Sequence, residues 1–239
     1  MKRLSCALLL IMISAAVAQA TDDISLFAGG SDFSVPTKIF LLLTLLSLIP
    51  TLVIALTSFV RIAVVLSLLR QGMSLHQVPS SQVIVALALI LTFYVMWPTG
   101  RVVYEQAVAP YMAGEIGPEE ALVSGYVPIR DFMLRQTREK DILMFYGLAE
   151  LPRPKDRSDI PPQVLIPSFM VSELKTAFQM GFMIYLPFLI IDLIMASILM
   201  SMGMLMVPPV MISLPFKLLV FVLADGWTLI VGSLVQSFH

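Results

Sequence analysis

From residue 36 onward the chain alternates long apolar runs with short polar breaks, and the runs exceed what a core strand or amphipathic surface helix needs. Residues 36–69 are apolar except for Lys38 at the start and Arg61 well inside. A helix over 40–69 would be about 45 Å long, against a hydrocarbon core of about 30 Å. Such a run must tilt, kink or project, and Pro50 marks the expected bend. Arg61 can either snorkel or pair within a helix bundle. Arg70-Gln71-Gly72 closes this run, and residues 76–81 make a short turn in which His76 reads as a loop residue. Residues 82–97 form a second apolar run, with a stop expected at Pro98-Thr99-Gly100.

The densest stretch is 168–227, almost wholly apolar yet carrying Glu173, Lys175, Asp192, Lys217 and Asp225. Breaks are expected in it at Pro187 and at Val207-Pro208-Pro209, so that 168–203 and 210–235 pair as a second helical hairpin with its tip at 203–209. Between the two hairpins lies the one markedly hydrophilic region, 99–162, which holds eight of the fifteen Lys/Arg and ten of the sixteen Asp/Glu. Pro118-Glu119-Glu120-Ala121 places proline and acids where a helix begins, and residues 129–146 repeat apolar positions at helical spacing. Residues 151–162 read as a proline-rich connector.

Composition agrees with this pattern. The 239-residue chain is 58% hydrophobic and 13% charged, with a mean hydropathy of +0.92. A soluble domain is typically about 25% charged, so the reading is an all-α integral membrane protein. The formal net charge of -1 gives no field directed at nucleic acid. The first residues have the anatomy of a secretory signal: Lys2 and Arg3, an apolar core over 8–17, and Ala18-Gln19-Ala20 as a cleavage site. The organisation is therefore a signal segment at 1–20, a first hairpin in 21–98, a hydrophilic helical region at 99–162 and a second hairpin in 163–239. Cleavage would start the mature chain at Thr21, on the outer face of a bacterial inner membrane. The short 70–81 turn, with Arg70 and no acid, then belongs to the cytoplasm and 99–162 to the periplasm.

Catalytic signatures are missing from the sequence. It holds no H-E-x-x-H helix, no G-x-S-x-G elbow and no phosphate-binding G-x-x-x-x-G-K loop, and its two histidines are His76 and the terminal His239. The only cysteine, Cys6, falls in the signal segment. No enzyme, cofactor or metal site is expected.

Two features remain. Charges within apolar helices are costly and face a partner, a bundle interior or a wet path. Glu173 and Lys175 are two apart and point to different faces, Lys217 and Asp225 are about 12 Å apart along a helix, and Asp192 lies deepest between apolar runs. Each must find its partner on another helix or another subunit. The second feature is Met202-Gly203-Met204-Leu205-Met206-Val207-Pro208-Pro209, where Gly203 frees the backbone and the prolines forbid helix continuation. Flexible methionines there can seal a pore and yield to a passing chain, or merely fill gaps between helices. Chemistry alone does not separate the two.

The runs SELKTAFQMGF, PFLIIDLIMASILMSMGM and PPVMISLPFKLLVFVLADGW, with VPSSQVIVALALILTFYVMWPT earlier, resemble the signatures of the FliP/SctR family of type III export-gate proteins, in its flagellar branch. The resemblance covers nearly all the chain from residue 36. It implies a ring of five copies joined by FliQ and FliR, forming the channel through which unfolded flagellar proteins are exported. It implies a methionine gasket falling on Met204-Leu205-Met206, beside Met202, where Leu205 departs from the family's three consecutive methionines. It also implies that apolar helices serve as subunit interfaces, so that Glu173, Lys217 and Asp225 pair across chains. A monomeric secondary transporter with a broken-helix site is the alternative, although the two halves of this chain share no clear repeat.

Overall fold

The computed structural model describes residues 35–75, 79–152, 154, 156, 159–204 and 206–238. The expected signal segment, the start at Thr21, His76 and Leu205 lie outside the described residues. The chain divides into two compact units, Met1–Leu52 and Val53–His239. Among the described residues all regular structure is helical. In order, α1 is Val35–Leu56, α2 Phe59–Gly72 and α3 Ser81–Val103, followed by a π-helical turn at Tyr104–Val108 and the short α4, Ala109–Met112. The hydrophilic region contributes α5 (Pro118–Gln136) and α6 (Glu139–Leu148). Then come α7 (Pro162–Ser201), α8 (Pro209–Leu223) and α9 (Gly226–Gln236). This is a helical membrane protein.

In the first unit, α1 continues through Pro50, where the bend was expected, without a break. The break falls instead at Thr57 and Ser58, inside the second unit. There the Thr57 hydroxyl donates to the Val53 carbonyl at 2.5 Å and accepts the Phe59 N–H at 3.4 Å. A hydroxyl that competes for backbone partners in this way loosens and bends a helix.

Pro98 and Pro187 likewise fail to stop their helices. Pro98 lies inside α3, and both Pro167 and Pro187 lie inside the 40-residue α7. Each proline removes one backbone bond, which apolar helices tolerate when the rest of the ladder and the neighbouring packing remain. The expected division of 168–203 at Pro187 is therefore corrected to one continuous helix. At 1.5 Å per residue α7 is about 60 Å long, roughly twice a hydrocarbon core. Conversely, the run 210–235 is not one straight span: α8 and α9 meet at 65° where Asp225 takes a left-handed conformation, φ 48°. Three helical stretches, Ile39–Leu56, Ser81–Met112 and Pro162–Ser201, are long and apolar enough to cross a membrane, and the bent pair makes a fourth if it counts as one span.

Proline and acids at the start of α5 behave as their placement predicts. Gly117 is extended, Pro118 sits in the first turn, and Glu119 and Glu120 lie in that turn, where negative charge complements the helix dipole. The helical run expected over 129–146 is broken at Thr137 and Arg138, so α5 and α6 are separate.

The core forms where α2 lies along α7. Ile62, Val65, Leu66 and Leu69 repeat at intervals of three and four and are fully buried. Leu165, Phe169, Ala177 and Gly181 give the matching stripe on α7. Burying each large side chain contributes about 1.5–3 kcal/mol. Gly181 sets the closeness of approach, since a Cβ there would lie 2.2 Å from Leu68 Cδ1 and 3.0 Å from its Cβ. Gly181→Val should therefore cost about 1–3 kcal/mol by overpacking, read as a lowered Tm in detergent. Gly232→Ala, where nothing lies within 4 Å of an added Cβ, should leave the Tm unchanged or raised.

Candidate functional site

Arg61 is carried into the interior by the buried stripe of α2 and is 2% exposed. Its Nε donates to Glu173 Oε2 at 2.9 Å, and one Nη2 hydrogen goes to Glu173 Oε1. The other Nη2 hydrogen meets Gln136 Oε1 at 3.0 Å, and Nη1 donates to the carbonyl and hydroxyl of Ser237 at 2.9 and 3.0 Å. All five guanidinium hydrogens are thus used. The Phe238 ring covers the guanidinium face at 3.9 Å, and Gln136 Nε2 donates to the Phe238 carbonyl. One side chain joins α2, α5, α7 and the residues after α9. A fork paired with a carboxylate in two parallel bonds is the geometry in which a buried charge is best compensated.

A second node holds the other hairpin. Lys217 on α8 is 1% exposed and donates to Asp192 Oδ2 at 2.6 Å, Ser74 Oγ at 2.7 Å and the Gly72 carbonyl at 3.1 Å. Its three ammonium hydrogens are used. The Ser213 hydroxyl donates to the second oxygen of Asp192. Asp192, expected to be the deepest charge, keeps 22% of its side chain exposed, and Lys217 is the deeper partner. The node fastens the end of α2 to both arms of the α7–α8 hairpin.

Two of the three charges expected to pair across chains find partners within this one. Glu173 and Lys217 are satisfied within this chain, and Asp225 is exposed at the α8–α9 bend. Arg61 pairs in the bundle and does not snorkel. Lys175, two residues from Glu173, faces elsewhere and lies 3.8 Å from the buried Asp141 of α6. The sequence did not point to Gln136, Ser237, Phe238, Ser74 or Ser213. Neutral polar residues near chain or helix ends carry no signal until a buried charge is found beside them.

The methionine turn is built from the ends of two helices. Gly203, at φ 76°, supplies the left-handed residue that closes α7. The Gly203 N–H bonds to the Met200 carbonyl and the Met204 N–H to the Leu199 carbonyl, both at 3.0 Å, which is a Schellman closure. Pro208 is extended and Pro209 starts α8 without needing an N–H partner. Met202 is 66% exposed, Met204 39% and Met206 97%. These thioethers fill no core of their own chain, so gap-filling within the chain does not explain them.

A family model described as the FliP family matches residues 42–234. The chain belongs to the FliP family. It is 50% identical over 211 residues to a flagellar biosynthetic protein FliP of Pectobacterium carotovorum subsp. carotovorum, covering 88% of this chain and 82% of that one. It is 51% identical over 201 residues to that of Bacillus subtilis (strain 168), covering 84% and 91%. To that of Aquifex aeolicus (strain VF5) it is 46% identical over 233 residues, covering 97% and 98%. The matched region contains both charge nodes except Ser237 and Phe238, and all of the methionine turn.

The Arg61 node yields a direct test. Arg61→Met or Glu173→Met alone should each cost about 3–5 kcal/mol, because one charge stays buried and unpaired. The double substitution should cost clearly less than the sum of the two, measured by denaturant or thermal unfolding in detergent. Strict additivity would mean that the pair is not energetically coupled.

Proposed function

We propose that this chain is a subunit of the flagellar type III export gate. Several copies, five by the family resemblance, would close with FliQ and FliR around a channel for unfolded flagellar proteins, in the bacterial inner membrane at the flagellar basal body. The hydrophilic α5–α6 region would face the periplasm. The observation that carries this reading is the methionine turn: thioethers exposed at the tip of an apolar hairpin whose base is locked. Lys217 lies about 12 Å along α8 from Pro209, so the tip hangs from a clamped base and can yield while the hairpin holds.

The exposed faces point the same way. Phe178, Phe182 and Met183 on α7, with Phe216, Leu219 and Leu223 on α8, are large, apolar and uncovered in the single chain. Surfaces of this kind need lipid or neighbouring subunits. Membership of the FliP family, whose members named above are flagellar biosynthetic proteins, favours neighbouring subunits. No chemical step is required of such a subunit. Its work is to hold, seal and pass a chain, so neither cofactor nor metal enters.

Native mass spectrometry in mild detergent, with FliQ and FliR co-expressed, should give a hetero-oligomer containing several copies of this chain. A monomeric mass would defeat the proposal. The seal has its own test. Met204→Ala/Leu205→Ala/Met206→Ala should assemble normally and raise ion leak through the resting membrane, because a narrow apolar ring that excludes water has been widened. Secretion of a flagellar subunit should survive or fall modestly, whereas Met206→Asp should impair it. A triple alanine variant that assembles and leaks no more than the parent would reduce the turn to packing.

A further inference from the structure

The described methionines include three environments. Met73 and Met133 are core residues, 2% and 0% exposed. Met112 and Met183 are exposed on helix faces whose apolar neighbours call for lipid or protein cover. Met202, Met204 and Met206 stand on a turn between helices, and Met206 at 97% is the most exposed large apolar side chain described. A thioether is oxidised according to its access to the oxidant. A turn at a water-facing constriction has that access, and a covered helix face does not.

We infer that the methionine turn is an oxidation site, where peroxide converts Met206 first, and Met202 and Met204 with it, to methionine sulfoxide and so breaks the seal. The inference rests on the reading of this turn as a seal. In the step, the Met206 sulfur attacks one oxygen of hydrogen peroxide and the O–O bond breaks as the S–O bond forms. Sulfur is oxidised by two electrons and the peroxide is reduced. The departing hydroxide takes the proton from the new S–OH group and leaves as water. The product carries a polar S–O group that accepts hydrogen bonds, where the thioether had been a soft apolar group. A constriction that excludes water because it is apolar becomes wettable when its ring turns polar. Within its own chain Met206 has no side-chain packing to lose, and Gly203 and Pro208 define the turn through its backbone.

The test uses the whole chain assembled with its export-gate partners in lipid bilayers, treated with dilute hydrogen peroxide. Peptide mass spectrometry should find the turn methionines gaining one oxygen on the order of tenfold faster than Met73 or Met133, and faster than Met183. Ion conductance should rise together with that modification and fall again after methionine sulfoxide reductase treatment. Met202→Leu/Met204→Leu/Met206→Leu keeps an apolar ring without sulfur and should remain closed under peroxide. Met202→Gln/Met204→Gln/Met206→Gln mimics the sulfoxide and should leak without oxidant. Turn methionines that oxidise no faster than Met133, a fully oxidised turn that does not leak, or a leucine variant that leaks equally under peroxide would each overturn the inference. If the glutamine variant leaks while peroxide leaves the parent closed, the oxidation site is wrong and the seal stands. If the glutamine variant does not leak, the seal reading fails and this inference with it.

Discussion

The bidentate pair between Arg61 and Glu173 is the constraint around which the second unit is arranged. An ionised group in an apolar interior is tolerable only when its hydrogen-bonding capacity is met, and here five donors find acceptors from three other parts of the chain. That requirement places α2 against α7 at one register, brings Gln136 at the end of α5 to the same point, and holds Ser237 beneath the guanidinium. Hydrophobic burial along α2 and α7 supplies adhesion, but apolar faces slide past one another at little cost. The charge specifies which register is used.

The Lys217 node repeats the logic nearer the hairpin. Its ammonium needs three acceptors, and the chain supplies a carboxylate from α7, a hydroxyl from Ser74 and a carbonyl from the end of α2. With both nodes closed, the second unit contains a braced frame from which a slender apolar tip projects. A braced base below an exposed tip suits the seal proposed for this turn. Methionine suits that tip because its long, unbranched side chain repacks around whatever it meets.

What the sequence determined by itself is the class and the parts. Apolar runs with few charges specify helices in a membrane protein. The proline and acids at 118–120 specify where α5 begins, and Gly203 with Pro208 and Pro209 specifies a sharp turn between two helices. These are local effects, written in backbone preferences and short-range hydrogen bonding, and so they are readable residue by residue. The odd charges were legible as needing partners, and the methionine turn as a break between helices whose thioethers either seal a pore or fill gaps.

Only the tertiary structure decided which proline bends a helix and which charge meets which. Pro50, Pro98 and Pro187 remain inside helices because a single missing backbone bond is outweighed by the rest of the ladder. The bends fall at Thr57 and Asp225, where a hydroxyl competes for the backbone or the chain turns left-handed. Arg61 and Glu173 are 112 residues apart, and Lys217 and Gly72 145 apart. A pairing at such separations is set by how helices stack, and no local pattern encodes it. Physics at short range names the elements, and the cost of burying charge at long range selects their arrangement.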